Sequence, residues 1–115
     1  MPCHGLGHAL SGYYNMPHGN SLAALLPAWM RYTFPATQER FARLGKTVFA
    51  QQDAIESFEK WLERVGMRIR LRDAGFNLID LETVSQLAVK SSVGLRHNPV
   101  PIDQKSAAAI YRESF

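Results

Sequence analysis

The sequence predicts an all-α protein, a compact multi-helix domain occupying residues 1–115. Apolar residues recur at helical spacing in successive segments, glycine and proline punctuate the stretches between them, and only one short stretch alternates as a strand would. Hydrophobic residues make up 46% of the 115, enough for one modest core. No repeat, low-complexity linker or second-domain boundary interrupts the chain.

The first element is a helix over residues 3–14, for which Pro2 is an acceptable first residue because an N-terminal helical position needs no backbone donor. The Asn15-Met16-Pro17 break follows. From Asn20 onward, Leu22, Leu25, Leu26, Trp29 and Met30 fall on one side of a second helix, a core face that Pro27 should kink. Pro35 is expected to turn Phe34 away from helical dihedrals and end it. A third segment runs from about Thr37 to Phe49, with Phe41, Leu44 and Val48 at helical spacing and Gln38, Glu39, Arg40 and Lys46 elsewhere.

Asp53 and Glu56 resemble a capping pair opening the next helix. Its expected buried stripe is Ile55, Phe58, Leu62 and Val65, with Trp61 also in the core or an interface, and Gly66 as its stop. MRIRL at 67–71 alternates and reads as a short extended connection, followed by a turn at RDAGF. Asp80 is placed to cap a helix carrying Leu81, Val84, Leu87 and Ala88 inward. SSVGLRHNPVP breaks that helix, and Asp103 starts the last one, with Ala107, Ile110 and Tyr111 facing the core.

Charge and composition exclude several classes. The formal charge is +3, but basic and acidic residues interleave in TQERFARLGK and ESFEKWLER, and no arginine-rich run accompanies them, so no nucleic-acid partner is expected. The longest apolar run, LAALLPAWM at 22–30, is too short to span a bilayer, and no signal-like segment opens the chain, so a cytoplasmic protein without a membrane partner is expected. One cysteine, Cys3, cannot form an internal disulfide.

Chemistry concentrates in CHGLGHALSGYYNMPHG, residues 3–19. On a helix, His4 and His8 lie one turn apart on a shared face, and the break before His18 can bring a third imidazole to the same place. Zinc, iron or nickel accepts such nitrogen ligands. The same residues also suit a polar surface or hydrogen-bonded histidines in a core, and the spacing leaves both readings open. Cys3 could add a soft ligand but suits an ordinary thiol as well. Tyr13 and Tyr14 read as packing residues that could also touch a bound molecule.

CHGLGHALSGYYNMPHGNSLAALLPAWMRY resembles the second signature of the iron-dependent (group III) alcohol dehydrogenases, in which a histidine is followed by another four residues on and by Pro-His-Gly ten residues later. AIESFEKWLERVGMRIRLRDAGF and HNPVPIDQKSAAAIYRESF are similar, more weakly, to later parts of that family, so the likeness extends over essentially the whole chain. The resemblance implies a fold belonging to the family's C-terminal helical portion. It implies that His4 and His18 bind a ferrous or zinc ion together with an aspartate and a histidine from an earlier stretch. His8 is implied to sit beside nicotinamide and substrate, relaying a proton or orienting groups, and His97 to lie on a loop approaching the substrate pocket. NAD(P) is the implied cofactor, and a small alcohol or aldehyde the implied substrate.

These 115 residues hold no glycine-rich phosphate loop after a strand and no aspartate–histidine pair upstream of His4. The expectation is therefore a partial metal-binding domain, an alcohol dehydrogenase fragment inactive alone, with the nucleotide-binding domain or a second copy as its partner. The alternative expectation is a free-standing helical module that oligomerises or binds another protein. A third is an assembly in which His4, His8 and His18 build a new site.

Overall fold

A computed structural model describes residues 1–115, and its regular elements are helical throughout. The first two helices are α1 (Pro2–Tyr14) and α2 (His18–Thr33). They are followed by α3 (Gln38–Leu44), α4 (Ala54–Arg64), α5 (Leu81–Ser91) and α6 (Gln104–Glu113). No helix is long and apolar enough to cross a membrane.

The core is built by four of these helices. Cys3, Leu6, Ala9 and Leu10 of α1 meet Ala24, Leu25 and Ala28 of α2, with Leu81, Val84 and Ala88 of α5 and Ala107, Ile110 and Tyr111 of α6 closing the cluster. The helical spacing within each set is what lets one face of each helix be removed from water. Tyr111 lies at the centre, fully buried, and its hydroxyl donates to the Leu6 carbonyl at 2.8 Å, in the middle of α1. That bond satisfies a polar group that would otherwise be costly to bury.

Several element boundaries differ from the sequence expectation. The second helix starts at His18, before its apolar stripe, and continues past Pro27 to Thr33. Phe34 keeps helical dihedrals (φ −50°, ψ −45°) despite the following proline and leads into a 3-10 turn over Phe34–Ala36. The steric bias before proline is a preference, overridden here by the continuing turn. The segment from Thr37 to Phe49 is two elements: α3, then a wide π turn over Gly45–Phe49 that ends at Ala50 in a left-handed conformation.

The helical spacing of Phe41, Leu44 and Val48 does not bury a face, since Leu44 and Val48 are exposed. In α4 only Leu62 of the expected stripe is buried. Ile55 and Phe58 are half-buried, Val65 lies outside, and Trp61 stacks on Phe58 while staying 41% exposed. Both segments sit beyond the core cluster, which has no member between Ala28 and Leu71. In α5, Leu87 also points away from the core.

The expected caps divide. Asp53 accepts from the Glu56 amide at 2.9 Å and Asp103 from the Ser106 amide at 2.7 Å, each satisfying a first-turn donor. Gly66, with φ +71°, ends the α4 turn. Asp80 stands before α5 but does not cap it, because its carboxylate is taken by the hydroxyls of Tyr13 and Tyr14. The stretch 67–71, expected to be an extended connection, carries no strand: residues 67–70 are irregular and Leu71 opens a turn, its amide tied to the Ser114 carbonyl at 2.9 Å.

Candidate metal centre

The two helices that carry the histidines are brought together by small residues. A Cβ added at Gly7 would lie 3.0 Å from Ser21 Oγ and 3.3 Å from Leu22 Cδ2, so the start of α2 lies almost against the α1 backbone. A Cβ at Gly5 would come within 2.2 Å of Ser92 Oγ, so the segment after α5 is pressed against the same helix. Asn15 adopts the left-handed conformation (φ 54°) that ends α1, Met16 is buried, and Pro17 extends the chain into α2. The reversal places His18 opposite His4 and His8.

The nitrogen atoms available from His4, His8 and His18 all lie within 4.8 Å of one another. His4 Nδ1 and His18 Nε2 face each other at 3.1 Å, and the ring centroid of His18 is 5.1 Å from His4 and 4.9 Å from His8. Two nitrogens bound to one ion at about 2.0–2.1 Å stand about 2.9–3.4 Å apart, depending on the coordination angle. The His4–His18 pair meets that spacing as it stands. His8 is the exposed member of the three, its ring 6.1 Å from that of His4 and 4.9 Å from that of His18.

The electrostatics keep a lone pair available. Partial burial pushes the His4 imidazole below its usual range, helped by His18, the amino terminus and His8, so protonation is disfavoured. The second ring nitrogen of His18, Nδ1, is buried without a partner, while the His18 carbonyl accepts from Ser21 Oγ at 2.8 Å. The cluster contains three imidazoles and no carboxylate. Neutral imidazole donors of this kind suit iron, zinc or nickel. His4 and His18 therefore fit the group the resemblance implies, with donors still needed to complete it.

The remaining candidates separate from this cluster. Cys3 is fully buried, and burial pushes its thiol up to about 12, which makes it a core residue. Tyr13 and Tyr14 hold Asp80 between α1 and α5, and the Asn77 amide donates to the Tyr14 hydroxyl at 3.2 Å. The hydrogen bond to Asp80 raises the Tyr13 phenol, and burial raises that of Tyr14. His97, itself exposed, ends a 3-10 turn over Val93–His97 that is anchored by the buried Leu95, and it is not a member of the histidine cluster.

The neighbouring Asn98, not singled out in the sequence, organises that loop. It accepts from Trp29 Nε1 at 3.0 Å and donates to Thr33 Oγ1 and the Val100 carbonyl at 3.1 and 2.7 Å. Gly7 and Ser21 are likewise unremarkable in sequence, although the density of small residues around the histidines is a usable sign of close helix approach.

Comparison with known proteins identifies the family and the fold. The profile of the Fe-containing alcohol dehydrogenase family, C-terminal, matches residues 1–115. The chain is 31% identical to 1,3-propanediol dehydrogenase of Klebsiella pneumoniae, covering 97% of this chain and 31% of that protein. It is 29% identical to NADP-dependent alcohol dehydrogenase 3 of Entamoeba histolytica, over 97% of this chain and 30% of that one. The fold superposes on a crystal structure of 1,3-propanediol oxidoreductase with a TM-score of 0.88 at 31% identity, covering 99% of this chain and 32% of that one. The chain thus spans about a third of the length of the relatives it matches.

Proposed function

Because the chain belongs to the Fe-containing alcohol dehydrogenase family and corresponds to its C-terminal part, we propose that it supplies half of the metal centre of an NAD(P)-linked alcohol dehydrogenase. The observation that carries this reading is the 3.1 Å approach of His4 Nδ1 to His18 Nε2, from two helices, in a chain of that family. His4 and His18 would hold the ion, iron by the family's description, with further donors arriving from outside residues 1–115. Bound there, the metal supplies Lewis acidity that lowers the pKa of an alcohol oxygen and eases hydride loss to a nicotinamide cofactor.

The chain's own residues do the rest of this half of the work. Gly7 and Ser21 fix the separation of α1 and α2, so the two imidazoles are presented without rearrangement. His8, exposed beside them, is placed to face substrate and cofactor and to take or return the alcohol proton at a ring nitrogen. Residues 1–115 supply only part of the groups that turnover needs, and the substrate is a small alcohol or its aldehyde.

The test is metal content by elemental mass spectrometry on anaerobically purified protein, beside a His4→Ala, His18→Ala double variant. Stoichiometric metal in the parent and its loss in the variant are expected. A parent that stays metal-free after reconstitution with ferrous iron overturns the reading.

A second reading draws on exposed apolar side chains: Ile79 is 82% and Val93 70% exposed. Such surface suits self-association or contact with a nucleotide-binding domain. Light scattering distinguishes them, since a helical module working by itself should form dimers or larger species, whereas a monomer leaves the enzyme-derived partner as the occupant.

A further inference from the structure

His4, Gly7, His8 and Ser11 of α1 stand at offsets of 0, 3, 4 and 7, the surround that a single side chain of a facing helix fills. His18 of α2 fills it. Its ring lies 5.1 Å from that of His4 and 4.9 Å from that of His8, and its Cε1 is 3.5 Å from where a Cβ on Gly7 would stand. Ser11 is the fourth corner. The same contacts orient the ring: Nε2 faces His4 at one end of the surround and Cε1 passes beside Gly7, so Nδ1, on the other side of Cε1, is turned along α1 toward Ser11.

Both polar atoms at that corner lack a partner. Ser11 Oγ and His18 Nδ1 are the two buried side-chain nitrogen or oxygen atoms of the chain that make no hydrogen bond. Native folds leave few such atoms, and two at one corner of one interface point to a shared cause. Ser11 also departs from the buried serines elsewhere. Ser21, Ser85 and Ser114 each donate to a carbonyl three or four residues back, at 2.8, 2.6 and 2.8 Å, and Ser11 makes no such bond. A helical serine that leaves this local outlet unused keeps its oxygen for another donor.

We infer that Ser11 is a positioning residue for the metal centre, its hydroxyl accepting the Nδ1–H of His18 when Nε2 is given to the ion. The inference rests on the metal-centre reading above. An imidazole that gives its Nε2 lone pair carries its proton on Nδ1, and within the α1–α2 interface that N–H needs an acceptor. With Ser11 supplying one, the ring is held in tautomer and plane with Nε2 toward His4. Without it, loading the site leaves a donor buried and unpaired. The bond closes on loading as the Ser11 rotamer adjusts, or across one bridging water.

The experiment uses the 115-residue chain with zinc, a diamagnetic probe ion, and compares the parent with Ser11→Ala and Ser11→Thr. Zinc affinity is read by competition with a chromophoric chelator, the His18 ring by NMR of isotope-labelled histidine, and the metal-free fold by circular dichroism and urea midpoint. In the parent, zinc should shift His18 Nε2 and leave a slowly exchanging Nδ1–H. Ser11→Ala should weaken zinc by about tenfold or more and speed exchange of that proton. The urea midpoint of the metal-free variant should hold or rise, since alanine is the better helix former. Ser11→Thr keeps the hydroxyl and should return affinity to within about threefold of the parent.

Zinc affinity of Ser11→Ala within about twofold of the parent overturns the inference and leaves the metal centre standing. So does an equal loss in Ser11→Ala and Ser11→Thr, which reports packing rather than a hydrogen bond. A lower urea midpoint for metal-free Ser11→Ala, or its failure to fold, overturns it as well by showing that the hydroxyl serves the fold. Zinc held with His18 unshifted, or no zinc taken up by the parent, overturns the metal-centre reading and this inference with it.

Discussion

The Tyr111 hydroxyl and the Asn98 carboxamide show how single polar groups hold this fold in register. Tyr111 donates to Leu6 in the α1 backbone, while Asn98 ties the loop after α5 to Trp29 and Thr33 of α2. Tyr111→Phe should therefore destabilise the protein by about 1 kcal/mol in urea denaturation, by removing the hydroxyl's bond to the Leu6 carbonyl, which keeps its helical partner in α1. Asn98→Ala strips three partners and should cost more, about 2–4 kcal/mol on the same assay. Cys3 gives a chemical readout. With its thiol fully buried and pushed up to about 12, it should react with a disulfide reagent at neutral pH only after unfolding. Prompt native-state labelling would contradict the packing of α1.

Among the elements, helix starts are where local sequence speaks most directly. Asp103 was legible as the start of α6 because a carboxylate before a helix finds free amides, and its acceptance from the Ser106 amide realises that pattern. The bond holds the Asp103 carboxyl below its ordinary value. A carboxyl depressed on folding stabilises the protein above its unfolded pKa, and the contribution disappears as pH falls through the lower folded value. Asp103→Ala should lower stability by about 1 kcal/mol at neutral pH, with the difference from the parent shrinking as pH drops below about 4. Urea midpoints at several pH values check it. Asp80 illustrates the opposite outcome: the same residue type in a similar position is diverted by Tyr13 and Tyr14, which are 67 and 66 residues away and invisible to any local reading.

For the molecule as a whole, the core and the peripheral excursion differ in kind. Residues between Ala28 and Leu71 contribute none of the 18 core members, and α4 buries only Ala54 and Leu62 and adds ion pairs at its surface. Glu59 pairs with Arg31 of α2 and with Arg68, the latter at 2.5 Å, while Arg31 also reaches Glu113 of α6 at 3.3 Å. Partly exposed pairs of this sort add little by themselves. Amide hydrogen exchange should accordingly be fastest in α3 and the π turn, intermediate in α4, and slowest in α1, α2, α5 and α6. Uniform protection across all six helices would mean the excursion unfolds only with the core.

The helical class, most helix positions and the pairing of His4 with His8 follow from spacings of three, four and seven residues, which depend on backbone geometry alone. The resemblance to iron-type alcohol dehydrogenases was likewise carried by a contiguous motif. What the sequence could not decide is which apolar stripe meets a partner. Leu44, Val48 and Val65 have the same periodicity as Leu6 or Val84, yet remain exposed because no core helix lies opposite them. The approach of His18 to His4 also belongs to tertiary structure. It depends on Gly7 admitting α2 and on the Asn15–Pro17 reversal, contacts between segments that periodicity cannot measure. Local pattern determines which face of a helix can be buried; only the assembled fold decides whether something is there to bury it.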